Sequence, residues 1–479
     1  MQCKSRLILT VVLLAGCHQS LPPEQPSPFS KVTLRLAAPA HLHDLLRSHS
    51  ARWVFEHQAT LHWTDQADQA DQADLIVFPV AELVARADQL LPVPEDWQQR
   101  GGRYDWNGLL PLYRERFARV ETTPRAVPLT GEAPVALFRR DLYADPALAA
   151  AYSRWRAAGK RPEMPLRPPL TWREWTDQAL FFAEHLKKPS LTSLPATPEG
   201  RERLFHFLAA CHARRAIRED EPEGADHKAE VFYFHYRPDR HEPRLATPGF
   251  VYALELLREM QPARSSDPAS LSRGEVALAI VEAGQLTELQ RQAATRDRYG
   301  VFALPGADRF WNSADQLFTP EGQNRVPYHG GAGWLIGVAR SCSRADAAWD
   351  LVAELTGPRR SAEIASDSRW GAGPTRLEQL VRDRWDSLGV DSVTAQTLKD
   401  LIGRHLLQHG LKNPVNILRL PDRPARLAAL DDALLAAVQG KQTPQVALEK
   451  AAAAWKKLDE ALGKDKAAQI YRRSLGLID

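Results

Sequence analysis

The sequence predicts an α/β protein of more than one wound lobe, and three observations carry that expectation. Short apolar strand patterns alternate with amphipathic helical ones, as helices packed on a sheet require. Helix-start signals recur at Thr171-Trp-Arg-Glu174, Thr247-Pro248 and Thr443-Pro444. About 460 residues remain once a leader is removed, enough for two or three domain-sized units.

The leader is the first element. Lys4 and Arg6 open it, residues 7–14 are almost wholly apolar, and Leu14-Ala15-Gly16-Cys17 follows. The apolar run is too short to span a bilayer as a helix. Small residues before the cut suit a peptidase groove, and Cys17 supplies the thiolate that a lipid-transferring enzyme needs. The four residues resemble the lipobox of bacterial lipoproteins. That resemblance implies a signal peptide over 1–16 and lipid on Cys17. Residues 17–30 then form a tether: Pro22, Pro23, Pro26 and Pro28 sit among polar neighbours. At about 3.1 Å per residue such a chain spans roughly 40 Å.

Residues 31–38 alternate as a strand, 41–55 read as a helix and 59–63 as a second strand. Asp-Gln-Ala then repeats three times before Asp74, a surface expansion without chemistry. Leu75-Ile-Val-Phe-Pro79 is a buried strand, and a helix follows. Residues 127–132 lead into a short apolar strand at 135–138. Thr171 caps a helix to about His185, with Trp175, Leu180, Phe181 and Phe182 on its apolar face. Residues 186–245 lack a clear period, and 214–230 read as a charged loop. Strand patterns return at 274–281, 301–306 and 335–338. Ser343 is expected to cap a helix whose apolar face is Ala348, Leu351, Val352 and Leu355. The last third is mostly helical, with Leu448, Ala451, Trp455 and Leu458 on one stripe.

Composition excludes several classes. The formal charge of +3 falls to near +1 without Lys4 and Arg6, so nothing marks a nucleic-acid partner. Cys211 and Cys342 remain after processing; they could pair in an oxidising compartment, or stand as two buried thiols. No metalloprotease, P-loop or nucleophile-elbow motif occurs. His227, His235 and His241 fit no regular metal spacing and read as a mobile polar loop, so no metal and no cofactor are expected. Gly331-x-Gly333-x-x-x-Gly337 has the wrong spacing for a dinucleotide fingerprint and reads as a close-packed turn. Asp431-Asp432 reads as a solvated helix face. An enzyme therefore has no constellation behind it.

Six motifs in order carry a wider resemblance. They are 127–141 (Pro-Leu, then an apolar strand ending in Arg-Arg-Asp-Leu), Pro169-Leu-Thr-Trp-Arg-Glu174, and Ser272-Arg-Gly-Glu-Val-Ala-Leu-Ala-Ile280. Phe302-Ala-Leu-Pro-Gly306, Ser343-Arg-Ala-Asp-Ala-Ala-Trp349 and Gly440-Lys-Gln-Thr-Pro-Gln-Val-Ala-Leu448 complete the set. Together they resemble the family 1, maltose-binding-like, extracellular solute-binding proteins of ABC transporters. The resemblance implies a two-lobed periplasmic-binding-protein fold of type II, with a hinge and an interlobe cleft. Lobe 1 would hold 31–138 and 305–370, and lobe 2 would hold 139–304 and 371–479. The hinge would include 135–138 and 301–304.

It also implies a monomer that captures a small solute, a sugar or oligosaccharide, and hands it to an ABC permease. The chain would be exported and membrane-anchored, on the periplasmic or cell-surface side. The alternative is a membrane-anchored ligand sensor or scaffold of the same fold with no transport role; a glycan-cleaving lipoprotein comes third. Cleft-facing aromatics would stack on a sugar: Trp334 after Gly330 and Gly331, Trp370 before a glycine-rich crossing, and Trp311 after Pro305-Gly306. Gly331 would let the ligand approach backbone amides. Thr130, Glu132, Glu282 and Arg419 would supply hydrogen bonds.

Overall fold

A computed structural model describes residues 28–65, 72–99, 104–217, 232–367, 373–380, 385, 389–409 and 415–477. Cys17, Trp370 and His227 lie outside these. No helix of the described residues is long and apolar enough to cross a membrane.

The chain weaves between two sheets. β1 (Thr33–Ala37) alternates as expected, with Leu34 and Leu36 buried and Thr33 and Arg35 outward. α1 (His43–His57) leads to β2 (Thr60–Thr64), and β3 (Leu75–Pro79) follows; β1 pairs in parallel with both strands. β3 is apolar on both faces because it is an interior strand. β4 (Val127–Thr130) forms the sheet edge, where Pro128 costs no ladder bond.

Residues 131–133 then cross to the second sheet. Its central strand is β5 (Pro134–Arg139). α2 (Trp172–Leu186), α3 (Pro198–His212) and α4 (Pro248–Glu259) follow, with α3 packed on α4. β6 (Leu278–Glu282) and β7 (Tyr299–Phe302) flank β5, both antiparallel to it. The chain returns through β8 (Tyr328–His329) to β9 (Trp334–Val338), which fills the first sheet between β3 and β4. α5 (Ala345–Thr356) packs on α1 and β9. A third crossing passes Gly373, which bridges to Gly131. α6 (Ser392–Gly403) covers β7, the helical turn Arg404–His409 follows, and β10 (Val415–Asn416) pairs in parallel with β8. α7 (Arg423–Val438) and α8 (Pro444–Leu462) pack on each other.

Period-two alternation divides the core. Leu75 and Val77 join one apolar cluster with Trp53, Val127, Ile336 and Leu355. Ile76 and Phe78 point the other way, into a cluster that holds Val135, Leu137 and Leu278 of the second sheet. Each such fully buried side chain is worth about 1.5–3 kcal/mol, so the two sheets are joined by apolar packing as well as by three crossings.

The structure places several of the expected features, some of them differently. Of the hinge expected at 135–138 and 301–304, residues 135–138 lie on β5 and 301–302 on β7, within the second ladder. The break expected after Phe138 likewise falls inside β5. The stretch read as irregular contains α3, announced by Thr197 as cap and Pro198 in its first turn. Ser343 does not cap α5; Arg344 occupies that place without a side-chain bond. Asp431 is buried and pairs with Arg201 at 2.6 Å, rather than standing in solvent. His235 and His241 are buried, and His241 stacks on Tyr236 while pairing with Asp459 at 3.1 Å.

Candidate functional site

The three crossings meet around Glu132, which is fully buried. A buried carboxylate is tolerable only when its oxygens are satisfied. Glu132 Oε1 accepts the Gly330 N–H at 2.8 Å and Oε2 accepts the Ala332 N–H at 3.3 Å. The first crossing is thereby bonded to the second. Arg203 on α3 lies 3.6 Å from Glu132 Oε2 and pairs closely with Glu282 at the end of β6. Glu282 also accepts the Ala133 N–H at 2.6 Å. The Arg203 guanidinium sits over the Phe207 ring at 5.1 Å, which fixes its height in the site. Burial pushes the Glu282 carboxyl up, against the pull of Arg203. Burial works against the Arg203 charge as well, but Glu282 and Glu132 hold its pKa above the usual arginine value. Tyr113 accepts the Glu132 N–H at 2.7 Å, and burial raises its phenol well above the ordinary range.

Glycines let the crossings touch. A Cβ on Gly131 would lie 2.2 Å from the Pro374 carbonyl oxygen, and one on Gly373 would lie 2.3 Å from the Glu132 carbonyl carbon. Neither neighbour is a flexible side chain. Gly131→Ala should therefore cost about 1–3 kcal/mol, read as a lower urea midpoint at unchanged m value.

His329 on β8 approaches Glu132 Oε1 with Nδ1 at 3.4 Å, and its ring centroid lies 4.5 Å from that of His405. The ligand atoms of Glu132, His329 and His405 all lie within 4.8 Å of one another. No sequence spacing announces this group, since its members come from a crossing, a two-residue strand and a helical turn.

A cavity of about 530 Å³ opens between the segment after β3 and the starts of α3 and α7. Glu82 and Arg86, after β3, form one wall; Glu199 at the start of α3 and Arg423 at the start of α7 form the other. Glu82 and Arg86 pair at 2.7 Å. Among the described residues no aromatic side chain lines it. A smaller cavity of about 170 Å³ lies within the second sheet's layer, bounded by Trp172, Trp175, Thr192, Arg203 and Arg264. Burial lowers the Arg264 pKa to about 10, and no carboxylate offsets it.

The structure brings together Thr130, Glu132, Glu282, Gly331 and Trp334 at the crossings. Thr130 Oγ1 accepts the Trp334 N–H at 3.0 Å, and Gly331 leaves room for the Arg203 side chain. Trp334 is half-buried with its ring 5.7 Å from that of His41. Trp311 sits instead on the short strand Phe310–Trp311, against Tyr252 at 5.6 Å. Arg419 is buried and donates to the Arg116 carbonyl at 2.8 Å and to the Ser474 carbonyl, so it is committed to backbone. Sequence reading missed Arg203 entirely; it lies in a segment taken as irregular.

No family model and no curated protein matches the sequence. Solved structures do match in shape. Maltose-bound MalE3 of T. maritima superposes with a TM-score of 0.62 at 14% identity, covering 89% of this chain and 100% of that one. The fold is that of the maltose-binding-like solute-binding proteins. The ABC transporter solute-binding protein of Agrobacterium radiobacter K84, in complex with ribitol, gives a TM-score of 0.61 at 16% identity over 90% of this chain and 100% of that one. The GacH receptor of Streptomyces glaucescens, solved unliganded and with acarbose, gives 0.60 at 13% identity over 89% and 98%. The two-lobed maltose-binding-like architecture expected from the six motifs is therefore present.

Proposed function

We propose that the chain is an extracytoplasmic solute-binding protein that captures a sugar or oligosaccharide between its lobes and delivers it to an ABC importer. Lipid on Cys17 would hold it at the membrane. The observation that supports this most is the cavity between the segment after β3 and the starts of α3 and α7, in a chain whose two sheets are joined by three crossings. Binding needs no covalent chemistry. A ligand that touches both walls favours the closed form by the difference in its contacts with the two forms. Structural neighbours solved with maltose, ribitol and acarbose support the solute class.

Trp334, which does not line that cavity, is proposed to offer its half-exposed face to the solute from the side of the crossings. Thr130, Glu132 and Glu282 hold the frame behind it, and Gly331 keeps the Arg203 stem close. Trp370, outside the described residues, is proposed as a second stacking residue. Lobe 1 is proposed to end near residue 131 and lobe 2 to begin near 134, with 131–133 as the first hinge strand.

A thermal-shift screen against mono- and oligosaccharides tests the function. A true ligand at a hundred times its Kd should stabilise the fold by about 2.7 kcal/mol. Small-angle scattering with that ligand should show a smaller radius of gyration, and Trp334→Ala should weaken binding. Silence towards every carbohydrate, with a response to peptides or ions, would remove the solute class. Separately, Cys17→Ala should release the protein from membranes; sedimentation with them after a carbonate wash would refute the anchor.

A further inference from the structure

We infer that Glu132, His329 and His405 form a binding site for one divalent transition-metal ion, Zn²⁺ being the ion whose chemistry they fit. The three side chains offer one carboxylate oxygen and two imidazoles, all three ligand atoms lying within 4.8 Å of one another. Two imidazoles and a carboxylate are a common zinc donor set, with bonds of about 2.0–2.2 Å. A tetrahedron with bonds of about 2.1 Å has edges of about 3.4 Å. The distance from Glu132 Oε1 to His329 Nδ1 is 3.4 Å, so that edge already has the length an ion requires. His405 completes the face by a small shift of a helical turn.

Two further observations point the same way. Asn416 is the register partner of His329 on the parallel strand β10, so the two side chains share a face. Asn416 is 5% exposed, and its side-chain oxygen is buried with no hydrogen-bond partner among the described residues. It offers a candidate fourth donor, an amide oxygen, on the face that His329 occupies. The charge count also favours a cation. Among the described residues Glu132 and Glu282 share the guanidinium of Arg203, so two carboxylates face one cation at a buried point.

The ligands come from three separate segments. Glu132 lies on the first crossing, His329 on the second, and His405 on the turn that follows α6 in the second lobe. A bound ion would tie both crossings to that turn. It would brace the hinge without meeting the solute, because Glu132 is fully buried.

The test uses the chelator-treated mature chain and Zn²⁺ alone, with no solute present. Calorimetry should report one equivalent bound and thermal melting should shift upward. Both effects should be lost in His405→Gln and retained in His62→Gln, whose histidine is exposed on β2. Absence of stoichiometric binding overturns the site, and so does undiminished binding in His405→Gln. Should His405→Gln fail to fold, X-ray absorption on zinc-loaded wild type decides: two imidazole nitrogens in the first coordination sphere support the site, and any other count overturns it. Metal uptake is read without solute, so its failure leaves the solute-binding function standing, and the reverse also holds.

Discussion

Arg203→Met should destabilise the protein by about 3–5 kcal/mol, the cost of removing one partner from a buried ion pair. The methionine fills much of the space of the arginine stem, so the loss is one of charge. Glu282 would face Glu132 with no cation between them, and both are buried. The folded state would then hold a proton on one carboxyl at pH values where the unfolded chain has released it. A folded carboxyl pKa above the unfolded one means that stability falls as pH rises through the unfolded value near 4.3 and is lost until the folded pKa is passed. The difference in unfolding free energy between variant and wild type should therefore grow from pH 4.5 to pH 7. Adding Glu282→Gln should recover most of the loss, because a neutral amide beside Glu132 no longer repels it. A double variant as unstable as the single one would mean that Arg203 acts through packing on Phe207 and not through the carboxylates.

Acid should unfold the wild type in a window set by three buried histidines. Burial lowers the pKa of His212 to about 4 and of His235 to about 3, and drives that of His206 well below the ordinary value. His206 and His235 are neighbours, with ring centroids 4.9 Å apart. The folded state keeps these imidazoles neutral, whereas the unfolded chain protonates them near pH 6.5. The unfolded state then binds more protons, so stability is complete above pH 6.5 and falls as pH drops towards the folded values. At pH 5 each histidine costs about 2 kcal/mol, and His212 and His235 together about 4 kcal/mol. Urea midpoints at pH 7.5 and pH 5 measure this. His212→Gln and His235→Gln should each flatten the slope between those values, whatever they cost at neutral pH. An unchanged slope would place the acid sensitivity elsewhere.

Local signals were legible in the sequence and long-range ones were not. Thr171 does cap α2, accepting the Glu174 N–H at 3.2 Å, but Glu174 reaches back to the Leu170 N–H at 3.0 Å, one residue beyond the expected amide. Thr443 caps α8 as read, accepting the Val446 N–H at 3.3 Å. The unbroken apolar run at 75–79 correctly announced a strand buried on both faces. The order of six motifs led to the two-lobed architecture. The crossing cluster had no such signature, since Glu132, Arg203, Glu282, His329 and His405 follow no spacing that one helix or strand could impose. Glu132 and Glu282 were noticed as isolated acids near strand ends, yet the arginine between them was not. Tryptophan was the weakest guide: Trp311 packs on Tyr252, and among the described residues the larger cavity has no aromatic lining. Arg419, which donates to two backbone carbonyls, is a related case. A lone arginine near a strand end gives no sign whether its donors face a ligand or the carbonyls of its own backbone.

The insertion of β9 between β3 and β4 has a consequence for biogenesis. β3 and β9 are adjacent in the sheet but separated by most of the chain, Leu75 pairing with Val338. Until a ribosome has passed residue 338, β3 presents an open edge and two apolar faces, and the first lobe cannot close. Domains usually fold in turn as they emerge, whereas this lobe must wait for the greater part of the polypeptide. Long-range pairing of this kind is slow to form. A nascent chain of this design keeps its first sheet open for longer than one whose lobes are consecutive in sequence.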